Sequence, residues 1–138
     1  LDLRDHPLPF CDADACYGDP NVGLMREKID GADGIVLATP IYNYTLGGTA
    51  KNLVELTGKQ WREKVVSFLC AAGGAHSYMS IMSTACSLML DFRCVIVPRF
   101  VYATGQAFED GELVDDDVRE RLEQLGRDLA HMTEALRR

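Results

Sequence analysis

The chain has no apolar run near the ~20 residues that span a membrane, and no secretory pattern opens it. A cytoplasmic location is therefore expected. It also lacks a surplus of positive charge. The 14 Lys and Arg stand against 21 Asp and Glu, a net charge of −7 at pH 7. Nonspecific attraction to nucleic acid or to an anionic membrane needs a basic face, so neither partner is expected. The five cysteines, Cys11, Cys16, Cys70, Cys86 and Cys94, include no Cys-x-x-Cys pair. Cys11 and Cys16 share a loop without the further ligands a zinc or iron–sulfur site requires, so no metal is expected. No Ser-His-Asp or Cys-His grouping stands at a recognisable spacing. Gly47-Gly48 lacks the spacing and the Lys-Ser/Thr ending of a phosphate loop. There are no repeats, low-complexity tracts or linkers.

What is present is an ordinary globular composition, 47% hydrophobic and 25% charged. At 138 residues it suits a single domain over the whole chain, with one core. Leu1 to Arg4 read as the tail of a strand, and Pro7 and Pro9 forbid regular structure after it. Asp19-Pro20 is a helix start, with Val22, Met25 and Ile29 on one face and Gly31 at the end. An apolar run at 35–38 and a second at 65–70 read as buried strands. A helix over 49–57 lies between them and ends at Gly58. Ser77 opens a helix whose stripe is Met79, Met82, Cys86, Met89 and Leu90, expected to be core. Cys70, Cys86 and Cys94 are expected to be small buried hydrophobes. Residues 94–102 form one more strand, broken at Pro98 and so placed at a sheet edge. Residues 109–112 are a turn. Asp115 to Asp117 cap a last helix striped by Val118, Leu122, Leu125, Leu129, Met132 and Leu136. Strands alternating with helices indicate a parallel sheet covered on both faces.

The first buried strand runs into Thr39-Pro40, then Tyr42-Asn43-Tyr44, then Gly47-Gly48 and a helix that carries Lys51 and Asn52. The second runs into Ala72-Gly73-Gly74. In open α/β sheets ligands sit at the carboxyl ends of the strands, where both loops fall. The Pro-x-Tyr-Asn of Pro40, Tyr42 and Asn43, the Lys51-Asn52 pair and the later Gly73-Gly74 together resemble the NAD(P)H-dependent FMN reductase family. The resemblance implies a flavodoxin-like three-layer α/β/α fold. Its strand order would be 2-1-3-4-5, with an N-terminal strand and a phosphate-binding loop that this chain lacks. That strand would lie between residues 1–4 and residues 35–39, so the sequence is expected to be N-terminally shortened.

The resemblance implies FMN and NAD(P)H as cofactors. Hydride would pass to the flavin and on to a small-molecule acceptor: a flavin, a quinone, an azo dye or a metal oxyanion. Flavin carries the chemistry, so no catalytic side chain is expected. Pro40, Ile41, Tyr42, Asn43 and Tyr44 would hold the isoalloxazine, with the Asn43 amide as the candidate for N5. Ala72, Gly73 and Gly74 would bring bare backbone to the pyrimidine edge. Tyr42 and Tyr44 merely packing at the strand end, and the glycines merely making a positive-φ turn, are the plainer alternatives. His76 reads as a solvated loop residue and Lys51 as a helix-surface residue. The family also implies a homodimer or homotetramer, and the Met-rich helix at 79–90 is the segment expected in that contact. Two other functions stay open: a non-catalytic flavodoxin-like subunit and a one-electron carrier.

Overall fold

The computed structural model describes residues 1–137. Helix α1 (Pro20–Asp30) is followed by β1 (Gly34–Tyr42), β2 (Thr45–Leu46), α2 (Gly48–Thr57), β3 (Val65–Ala72), α3 (Met82–Phe92), β4 (Val95–Ile96) and β5 (Val101–Thr104). A small hairpin, β6 (Phe108–Glu109) with β7 (Glu112–Leu113), precedes the long α4 (Asp116–Leu136). The helix starts are set by local chemistry. The Asp19 carboxylate accepts from the Asn21 and Val22 amides with Pro20 in the first turn, and Asp115 accepts from Val118 N–H at 3.0 Å.

The main sheet runs β2-β1-β3, and β3 then pairs with β4 and with β5. β1, β3, β4 and β5 are mutually parallel; only β2 is antiparallel, against β1. The last strand is broken at Pro98 into β4 and β5, and both halves stay on the edge beside β3. Alternation along β3 separates two cores. Val66, Phe68 and Cys70 pack with α1, α2 and α3, while Val65 and Leu69 pack with Val118 and Leu125 of α4. The fold is flavodoxin-like α/β, three layers deep. No described helix is long and apolar enough to cross a membrane.

Three expectations are corrected. Leu1 to Arg4 are not strand; they form a turn closed by the Asp5 amide on the Asp2 carbonyl at 3.1 Å and by the Asp2–Arg4 pair. On its free edge, Gly34 to Pro40 of β1 pair with no strand among the described residues. On the α4 side of β1, Val36, Ala38 and Pro40 are exposed, because α4 lies over β3 and β5. The third correction concerns α3. Its buried residues are Thr84, Ala85 and Leu88, with Ile81 before it, while Met79, Met82, Cys86, Met89 and Leu90 are exposed. Two stripes run along this segment, and the one made by Ile81, Thr84, Ala85 and Leu88 takes the core side. Cys70 and Cys94 are buried as expected; Cys86 is not.

Candidate functional site

β1 does not end at Pro40. It continues to Tyr42 and folds back, with Ile41 opposite Leu46 and Tyr42 opposite Thr45. Asn43 and Tyr44 between them have φ of 50° and 60°. Two left-handed residues in a two-residue loop make a type I′ turn, whose twist suits a tight hairpin. Pro40 is tolerated because β1 is an edge strand there. Gly47 closes the hairpin from behind, donating to the Pro40 carbonyl at 2.8 Å and to Thr39 Oγ1 at 3.1 Å. A side chain on Gly47 would meet the Pro40 ring at 3.0 Å, so close approach explains this glycine. Tyr42 and Tyr44 keep 64% and 70% of their surface exposed, so neither ring packs at the strand end.

A cavity of about 680 Å³ opens between this hairpin and the end of β3. Pro40, Ile41, Tyr42 and Asn43 line one side, and Ala71, Ala72 and Gly73 the other. Ala103, Thr104, Gly105 and Phe108 form a third wall. Six of the eight residues expected at a site, Pro40, Ile41, Tyr42, Asn43, Ala72 and Gly73, thus face one space; Tyr44 and Gly74 are not in its lining. The sequence reading missed the third wall. The available signal was Thr104-Gly105, the end of another parallel strand, which belongs on the same rim.

The lining and the two bends that flank it have a distinct chemistry. Among the described residues, the amides of Asn43, Tyr44, Gly73 and Gly74 donate to no protein acceptor. Gly74 is extended, φ −160° and ψ 170°, and neither Gly73 nor Gly74 has positive φ, which removes the positive-φ turn as an explanation. A Cβ at either glycine would meet nothing within 4 Å. Neither backbone strain nor internal packing calls for glycine here; bare backbone faces open space. No Lys, Arg, His, Asp or Glu lines the cavity.

The remaining candidates lie elsewhere. His76 is exposed. Lys51 pairs with Glu55 across one helical turn at 2.7 Å. Asn52 is buried and clamps the N-terminal loop, accepting from the Cys11 amide and donating to the Pro9 carbonyl, each at 2.9 Å. The Cys11 sulfur lies 3.7 Å from the Tyr17 hydroxyl, and Cys16 is buried beside Val22 and Leu56. A recess at the amino-terminal end of the strands is charged; Arg137 pairs with Asp33 at 2.8 Å and Arg93 with Glu63 at 3.6 Å, while Lys64 donates to the Asp30 carbonyl at 2.7 Å.

A family model described as NADPH-dependent FMN reductase matches residues 1–109. The chain belongs to the NADPH-dependent FMN reductase family. Its relatives in that family include an NAD(P)H-dependent FAD/FMN reductase of Geobacillus thermodenitrificans. The two are 35% identical over 96% of this chain and 73% of that protein. An NAD(P)H:quinone oxidoreductase of Solanum tuberosum is 30% identical over 84% of this chain and 66% of that protein. The fold is shared with an oxidoreductase structure from Corynebacterium diphtheriae at a TM-score of 0.71. That match has 19% identity and covers 85% of this chain and 64% of the other. The chain thus spans roughly two thirds to three quarters of the length of these relatives.

FMN is the group the family name calls for. The lining fits the ring of such a group: free amides at two bends, an open glycine edge, and apolar and aromatic walls. It offers no cationic side chain to the phosphate.

Proposed function

We propose that this chain binds FMN at the rim between the Tyr42–Asn43 bend and Gly73. It takes hydride from NADH or NADPH and passes it to a second small acceptor at the same open face. A free flavin or a quinone is the acceptor class; azo compounds and metal oxyanions are the wider set. Bound FMN supplies the hydride chemistry, accepting and returning the pair of electrons with its proton. The chain's own residues bind and orient. The Asn43 amide is offered to ring N5, and the Gly73 and Gly74 amides to the pyrimidine edge. Tyr42 and Phe108 bound the space with aromatic surface. A cavity lined by no ionisable Asp, Glu, His, Lys or Arg suits direct hydride transfer, which depends on reacting atoms being held about 3–3.5 Å apart.

The observation that carries this reading is the convergence of the two bends on one 680 Å³ cavity. The test is titration with FMN, followed by flavin fluorescence quenching, and then NADPH oxidation with added FMN or a quinone. Saturable quenching with steady NADPH consumption supports the proposal. A protein that takes up no flavin defeats it. A protein that binds FMN yet leaves both NADPH and, in a parallel assay, NADH intact defeats the reductase reading and favours an electron carrier.

The exposed Met79, Met82, Cys86, Met89 and Leu90 give α3 and the turn before it a second apolar face. We assign this face to self-association as a homodimer or homotetramer. Light scattering that reports only monomer at tens of micromolar would remove that assignment.

A further inference from the structure

Gly73 and Gly74 have no side chain to anchor them, no strained φ and no neighbour within 4 Å of a Cβ position. Ordering such a pair costs backbone entropy, and glycine loses the most. Yet their place decides where two free amides stand. Among the described residues, the side-chain tie to this bend comes from β5. Tyr102 stands opposite Cys70 in the parallel register, a few residues before the glycines. Its hydroxyl donates to the Gly74 carbonyl. The same oxygen lies 2.6 Å from Ser77 Oγ. A phenol has a single proton, so with that proton on Gly74 the Ser77 hydroxyl is the donor in the second bond. The Tyr102 ring is itself braced. Tyr78 meets it edge-on at 5.7 Å and stacks on Phe100 at 4.7 Å.

We propose that Tyr102 is a positioning residue for the cofactor. It pins the Gly73–Gly74 bend through the Gly74 carbonyl and holds the glycine amides in place before the ligand arrives. The proposal rests on the FMN reading given above. Binding to a preorganised bend avoids the entropy of ordering it, so loss of the pin appears as lost affinity. Tyr102→Phe keeps the ring, its packing and its place in the sheet, and removes only the hydroxyl.

The experiment compares wild type, Tyr102→Phe and Ser77→Ala in two measurements. The first is hydrogen–deuterium exchange of the 73–81 peptide in the FMN-free protein. The second is FMN affinity by fluorescence quenching, with the absorption envelope of the bound flavin recorded. For Tyr102→Phe the expected result is severalfold faster exchange confined to that peptide. FMN affinity falls about tenfold, the scale of one hydrogen bond, and the flavin envelope changes. A generally destabilised protein would exchange faster throughout, and that pattern overturns the proposal. Wild type that binds FMN while Tyr102→Phe binds equally well overturns it alone. Wild type that binds no FMN overturns the cofactor reading and this inference with it. If Tyr102→Phe does not fold, Ser77→Ala decides: affinity weakened about threefold supports the pin, and unchanged affinity overturns it.

Discussion

Thr57 is fully buried, and its hydroxyl serves two neighbours. It donates to the Leu53 carbonyl at 2.6 Å and accepts from the Trp61 indole N–H at 2.9 Å. Trp61 is among the largest fully buried side chains. Thr57→Val keeps the shape and strands the indole donor, which costs about 1–3 kcal/mol. Urea denaturation should show that loss with an unchanged slope. Nothing in the sequence marks Trp61 as buried, because a lone aromatic between Gln60 and Arg62 has no period to betray its burial. The thiols behave differently. Burial pushes Cys70 and Cys94 up from the ordinary 9.0 to about 11. The unfolded chain thus ionises these thiols before the folded one does. Their contribution to stability is whole below pH 9 and is lost as pH rises from about 9 to 11. Chemical denaturation across that window should show a decline that Cys70→Ala makes shallower.

At the scale of elements, the hairpin after β1 matters most. Tyr44 sits at φ 60° without being glycine. A side chain in that region costs about 1–2 kcal/mol, and type I′ turns favour Asn-Gly. Tyr44→Gly is therefore expected to raise stability by up to about 1 kcal/mol, and Tyr44→Val to lower it, both read from urea midpoints. Residues 39–44 illustrate a limit of local reading. Pro40 says that the strand stops, and in isolation it would. The strand continues because the β1 edge is unpaired and Gly47 donates to the Pro40 carbonyl. By contrast α1 and α4 were legible to within a residue or two. Asp19-Pro20 and Asp115 are caps whose chemistry lies within four residues. Helix α3 was found but turned the wrong way round, since both its stripes carry apolar residues and only neighbouring elements choose between them.

At the scale of the molecule, the ring-sized cavity and the absence of cations from its lining have a joint consequence. Anion recognition needs Arg, Lys or aimed helix amides. For the 138-residue chain, riboflavin and FMN are expected to bind within about threefold of one another, since the ring dominates. Competitive fluorescence titration checks this; FMN binding a hundredfold tighter would show a phosphate contact beyond the cavity described. The bare flank of β1, with Val36 45% exposed, belongs to this scale too. Nothing in the apolar run 35–38 distinguishes a strand covered on both faces from one covered on a single face.

By itself the sequence determined the alternation of elements, the helix caps, the break at Pro98 and the two bends that follow β1 and β3. Each depends on residues a few positions apart, where steric limits and hydrogen-bonding reach act directly. Only the tertiary structure decided that Asn43 and Gly73 share a cavity, that Thr104 and Phe108 close it, and that the methionines of α3 face outward. Those outcomes depend on which surfaces meet across the sheet, and pairing at a distance follows from packing the whole chain at once.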